Sequence, residues 1–154
     1  MHERTVVRSC ILPASKEVVF EKLQELKTLQ YIASPYATFT PVEPDNNLIW
    51  REGESFSFYF KLFGFIPFGV HTIRVIEFNA DRGIYTNESN PSVPVWNHRI
   101  LLEQAGGDAV KYTDEVQMAA GRKTELIYLW AKLFYAHRQR KWRKLLQITK
   151  RWEK

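Results

Sequence analysis

The segment from Lys123 to about Trp152 constrains this chain more than any other. Its pattern predicts one long helix, about 40 Å at 1.5 Å per residue. From Leu126 to Ala136 almost every position is apolar: Leu126, Ile127, Leu129, Trp130, Leu133 and Phe134, with Lys132 the one charge. From His137 onward the helix turns basic, with Arg138, Arg140, Lys141, Arg143 and Lys144 around Trp142 and Leu145. A helix apolar nearly all round has to be surrounded by protein. The rest of the chain supplies strands, so the expectation is a curved sheet wrapped around this helix.

Taken in order, Thr5 to Leu12 reads as a strand ended by Pro13. Ser15 is a helix N-cap, Glu17 suits the first turn, and Val18, Val19, Leu23 and Leu26 form a helical stripe to about Leu29. Tyr31 to Pro35 reads as a second short turn or helix. Tyr36 to Val42 is a strand closed by the turn Pro44–Asn47. From Glu54 to Phe63 the residues alternate: Phe56, Phe58, Phe60 and Leu62 share one face, Ser55, Ser57 and Lys61 the other. Gly64 to Gly69 is an apolar connector expected to fold over something. Strands follow over Val70–Phe78 and up to Asn87, after which Asn90–Pro94 is expected to interrupt pairing. Val95–Glu103 and Ala109–Met118 form a hairpin around Gly106 and Gly107, and Gly121 breaks the chain before the last helix. The fold class is therefore α+β: an antiparallel sheet of about seven strands, two short helices after the first strand, and a long final helix in one domain over 1–154.

Charge and cysteine content narrow the function classes. The formal net charge of +5 permits contact with nucleic acid or anionic membrane without arguing for either, and nucleic acid is not favoured. The single cysteine, Cys10, rules out an intramolecular disulfide and a Cys-based zinc cluster and is expected to be a buried, inert thiol. The start Met-His-Glu-Arg has no apolar signal core, and no apolar run approaches a membrane span, so a cytoplasmic protein is expected. The histidines at 2, 71, 98 and 137 lack metal-ligand spacing; no metal and no cofactor are expected.

The second half carries four motifs: Trp96-Asn97-His98, Gly106-Gly107, Thr113-Asp114-Glu115-Val116 and Phe134-Tyr135-Ala136-His137-Arg138. With the element order, they make the chain resemble the helix-grip fold of the SRPBCC superfamily, START-like and Bet v 1-like. The nearest subgroup is the bacterial polyketide cyclase/dehydrase and lipid-transport type. Where that subgroup often has a second histidine, this chain has Ile100. The resemblance implies a cavity between the concave sheet face and the last helix. Phe56, Phe58, Phe60, Trp96, His98, Ile100, Tyr112, Asp114, Val116, Ile127, Trp130 and Phe134 are its expected walls.

Alternation puts His98 with Trp96 and Ile100, and Asp114 with Tyr112 and Val116, on the dry faces of adjacent strands. A three- or five-residue loop at Gly106 and Gly107 would bring them opposite or one diagonal step apart. Such a pair fixes strand register, anchors a ligand, or serves as acid and base. Arg74 is expected at the surface and His71 inside; Tyr59, Tyr112 and Trp130 are possible polar tips in an apolar wall. Three functions follow. The first is non-catalytic binding or transport of an apolar small molecule or lipid. The second is a cyclase- or dehydratase-like enzyme using His98 and Asp114. The third is a peripheral membrane or partner contact through Arg138–Lys144, with Trp142 and Trp152 as interfacial aromatics.

Overall fold

The computed structural model describes residues 2–43 and 48–152, with side chains through residue 148. The expected turn at Pro44–Asn47 and the side chain of Trp152 lie outside the described residues. The elements run β1 (Arg4–Leu12), α1 (Lys16–Leu23), α2 (Leu26–Ala33), β2 (Ala37–Pro41), β3 (Ser55–Leu62), β4 (Ile66–Asn79), β5 (Gly83–Asn90), β6 (Val93–Gln104), β7 (Val110–Ala119), and α3 (Thr124–Trp152), which a single 3-10 turn at Gly121–Lys123 precedes. The seven strands form one antiparallel sheet in the order β1-β7-β6-β5-β4-β3-β2, and α3 packs against β1, β7 and α2. This is the helix-grip α+β architecture.

Local chemistry sets the elements, and in four places it departs from the sequence expectation. The first helix does not run to Leu29. Ser15 caps it, its Oγ accepting from the Val18 amide at 3.3 Å. Its end comes early because the amides of Gln24 and Glu25 fold back onto the carbonyls of Glu21 and Lys22, and Glu25 is extended. The segment Asn90–Pro94 does not interrupt pairing. Asn90 pairs with Val93 across a two-residue turn, Pro91 and Ser92, and the Asn90 side-chain oxygen accepts from the amides of Ser92 and Val93 at 2.8 and 2.9 Å. Gly64–Gly69 does not fold over the molecule either. Phe63 (φ 55°) and Gly64 (φ 82°) make a tight turn, Ile66 already begins β4, and Phe65 stands 73% exposed at the tip.

The fourth departure concerns α3. The sheet grips one side of it: Ala131, Tyr135, Trp142 and Leu146 are buried. Leu126, Leu129 and Leu133 are 68%, 58% and 60% exposed. An open sheet curls around about half a helix, so an apolar composition on every face did not translate into burial on every face. Trp142, expected as an interfacial aromatic, is fully buried against Tyr112.

Candidate functional site

Beneath α3 lies a cavity of about 430 Å³. Phe58, Phe60, Ile73, Val75, Phe78, Ile84, Trp96 and Ile100 line it from the sheet, and Ile127, Trp130, Phe134 and Arg138 from α3. Among the lining residues the exposed ones are Lys123 and Leu126, so the mouth lies at the start of α3. Its position follows from the packing. Helix α3 rests directly on β1 and β7; it stands off the strands that follow in the sheet, and the space opens there.

The expected wall residues divide accordingly. Phe58, Phe60, Trp96, His98, Ile100, Ile127, Trp130 and Phe134 line the cavity. Phe56 does not: it packs edge-on to Trp50 at 5.0 Å. Tyr112, Asp114 and Val116 do not line it either; they are fully buried on β7, the strand α3 covers. Tyr59 points outward and is exposed, as is Arg74, while His71 is buried on the cavity wall.

Two histidine–carboxylate pairs stand along this wall. The hairpin register pairs Gln104 with Val110 around a loop in which Gly106 has φ 104°. His98 therefore lies opposite Val116 and one diagonal step from Asp114, and its Nε2 donates to Asp114 Oδ1 at 2.7 Å. Tyr112 Oη donates to the same oxygen at 3.3 Å, and Gln139 Nε2 to Oδ2 at 3.2 Å. Burial pushes the Asp114 carboxyl up, but the His98 hydrogen bond and the charge of Arg138 outweigh it and hold the group below its ordinary range.

The second pair was not legible as a pair in the sequence. His71 Nε2 lies 2.7 Å from Glu88 Oε1, and Thr86 Oγ1 donates to Glu88 Oε2 at 2.6 Å. The Asn90 amide fixes the tautomer. Its oxygen is occupied by two backbone N–H groups, so its nitrogen faces His71 Nδ1, at 3.1 Å, and donates to it. The His71 proton then resides on Nε2 and is donated to Glu88. Burial raises the Glu88 carboxyl; the hydrogen bond from His71 leads the groups that bring it below its ordinary range. Glu88 and Thr86 share the period-two face of β5 with Ile84 and Asn90, a signal that could have been used.

Arg138 was expected on a basic surface and is instead buried, 9% exposed, and lines the cavity. Its guanidinium lies over the rings of Tyr135 and Phe134, at 5.2 and 5.7 Å from their centroids. Among the described residues no carboxylate comes within 4.0 Å of it, and its Nε has no hydrogen-bond partner. Position i+8 from Trp130 and i+4 from Phe134 was the available signal, since that row follows one helix face. Among the described residues the basic run Arg138–Lys144 is thereby reduced to Arg140, Arg143 and Lys144, which are exposed, and the partly covered Lys141.

The family description "Domain of unknown function (DUF8410)" matches residues 10–146, nearly the whole chain. The chain belongs to the DUF8410 family. Among curated proteins, nothing matches it in sequence. Solved structures share the fold of this DUF8410 chain. A START superfamily protein from Mycobacterium smegmatis superposes with a TM-score of 0.73 at 12% identity, covering 94% of this chain and 98% of that one. The Zhui aromatase/cyclase from Streptomyces sp. R1128 gives 0.69 at 14% identity, with 95% and 94% covered. Norcoclaurine synthase from Thalictrum flavum, solved with dopamine and hydroxybenzaldehyde, gives 0.67 at 9% identity, with 95% and 87% covered. Identities this low carry the fold across and nothing finer. Among the described residues of this DUF8410 chain no helix is long and apolar enough to cross a membrane, and no three His, Cys, Asp or Glu side chains cluster as a metal site would need.

Proposed function

We propose that this protein binds or carries an apolar small molecule or lipid in the cavity between the sheet and α3. The observation that carries the reading is an interior space of about 430 Å³ whose walls are overwhelmingly aromatic and aliphatic. Space of this size falls in the range of small-molecule sites, and an apolar ligand filling it gains roughly 25 cal/mol per Å² of surface removed from water. The exposed Leu126 gives the mouth an apolar edge suited to entry of such a molecule. Native mass spectrometry after gentle purification tests the proposal: the expected result is a co-purified ligand of a few hundred daltons, or uptake of an added apolar dye. Ala33 is buried on α2 and lines the cavity, so Ala33→Phe fills it. Uptake undiminished in that variant would contradict the reading.

A second reading, acid–base catalysis on a bound carbonyl compound, is favoured by the His98–Asp114 pair. It sets an imidazole on the wall with an ionised carboxylate behind it at 2.7 Å. Its test is cyclisation or dehydration of a β-keto thioester probe. Loss of turnover in His98→Ala is expected, and unchanged turnover removes the role.

A further inference from the structure

The buried polar atoms around the cavity are unbalanced in one direction. Three side chains that line it have a buried polar atom without a partner: Trp50 Nε1, Trp130 Nε1 and Arg138 Nε. All three are N–H donors. Two acceptors on the same wall are already engaged: Glu88 by His71 and Thr86, and His71 Nδ1 by Asn90. The Asp114 carboxylate behind His98 holds three donors already. What these three donors lack is an acceptor.

Arg138 gives that deficit a charge. A buried guanidinium is ordinarily matched by a carboxylate in contact, because desolvating the cation without a partner is costly. Here no carboxylate is in contact, and the neighbours are the Tyr112 hydroxyl and the faces of Phe134 and Tyr135. Glu88 and Asp114 are negative groups in the same interior, but each is held by its own donors and leaves the Arg138 Nε open. Along α3 the mouth residue Leu126 and Arg138 are separated by about 18 Å at 1.5 Å per residue. Ile127, Trp130 and Phe134 lie between them on the cavity side. That is an apolar track ending at a cation.

We propose that the cavity takes an apolar carboxylate, its hydrocarbon body along Ile127, Trp130 and Phe134 and its head group on Arg138. This names the ligand class for the binding function proposed above and rests on it. A hydrogen bond to a charged group stabilises by about 1.5–3 kcal/mol, which is about a tenfold to hundredfold preference over an uncharged head. The test is calorimetric titration with dodecanoate and with dodecanol at about pH 8, where a carboxylate is ionised. Wild type is compared with Arg138→Met and Arg138→Lys, each first checked for a cooperative thermal transition. Wild type is expected to prefer dodecanoate at least about tenfold. Arg138→Met should lose the preference for dodecanoate over dodecanol. Arg138→Lys, a cation without the planar fork, should keep part of it; it also carries the test if the Met variant fails to fold. Equal binding of the two probes by wild type, or an unchanged preference in both variants, overturns the anchor and leaves apolar binding standing. Failure of wild type to bind either probe overturns both.

Discussion

At Asp114 a fully buried carboxylate receives three hydrogen bonds, from His98, Tyr112 and Gln139. Gln139 also reaches the Arg8 carbonyl at 2.8 Å, so the Asp114 carboxylate, through its partners, ties β6, β7, α3 and β1 together. Replacing it by asparagine puts an amide N–H among donors. Asp114→Asn is therefore expected to cost about 2–4 kcal/mol in urea unfolding, the range for breaking a buried charged network. Glu125→Gln, at an exposed pair with His2 and Arg4, should leave the midpoint nearly unchanged. Gly83 is constrained differently. It holds φ 89°, and a Cβ there would run into the Ile100 carbonyl oxygen of the adjacent strand. Gly83→Ala should therefore destabilise by more than about 1 kcal/mol in a thermal or urea melt, whereas Gly107→Ala, with open space around it, should be near neutral. Cys10 needs no such guard: burial pushes its thiol up to about 11, and it should react slowly with thiol reagents at neutral pH.

At the scale of elements, what was legible in the sequence was whatever period carries. Two-residue alternation gave the inward faces of β3, β6 and β7, and parity alone gave the even register that brings His98 to Asp114. Period does not say how far apart two packed elements stand. That is why Tyr112 and Val116, correctly read as inward, are sealed under α3, while Phe58 and Ile100 face open space. Nor does composition say how much of a helix a sheet can cover. Residues 126–136 looked buried on every side, and Arg138 looked like the start of a solvated end; the curl of the sheet reversed both. The face assignment has a direct check. Leu129→Gln and Leu133→Gln should each change stability by less than about 0.5 kcal/mol, as surface substitutions do. Ala131→Gln, two residues from each and so on the opposite, gripped face, should cost several-fold more through overpacking and a buried amide. Equal costs on the two faces would mean that α3 is enclosed after all.

For the whole molecule, the cavity wall makes stability depend on acid. Glu88 and Asp114 both titrate below their ordinary range when folded, because buried donors and charge outweigh the desolvation that opposes them. Between the folded and unfolded pKa values the unfolded chain binds more protons, so stability rises with pH through that interval. Each group's contribution is therefore fully present above the unfolded carboxylate values, about 3.9–4.3, and is lost as pH falls through the lower folded ones. Urea midpoints should be flat for these two groups near neutral pH and fall steeply below about pH 4. The double variant Glu88→Gln, Asp114→Asn should start lower at neutral pH, since His71 and His98 lose charged acceptors and an amide N–H is placed among donors at each site. It should then decline less steeply below about pH 4, because two of the protons that drive the transition no longer exist. Two curves that stay parallel down the acid limb would assign acid unfolding to carboxylates elsewhere. The wall pairs would then contribute to stability only as hydrogen bonds and not through their charge.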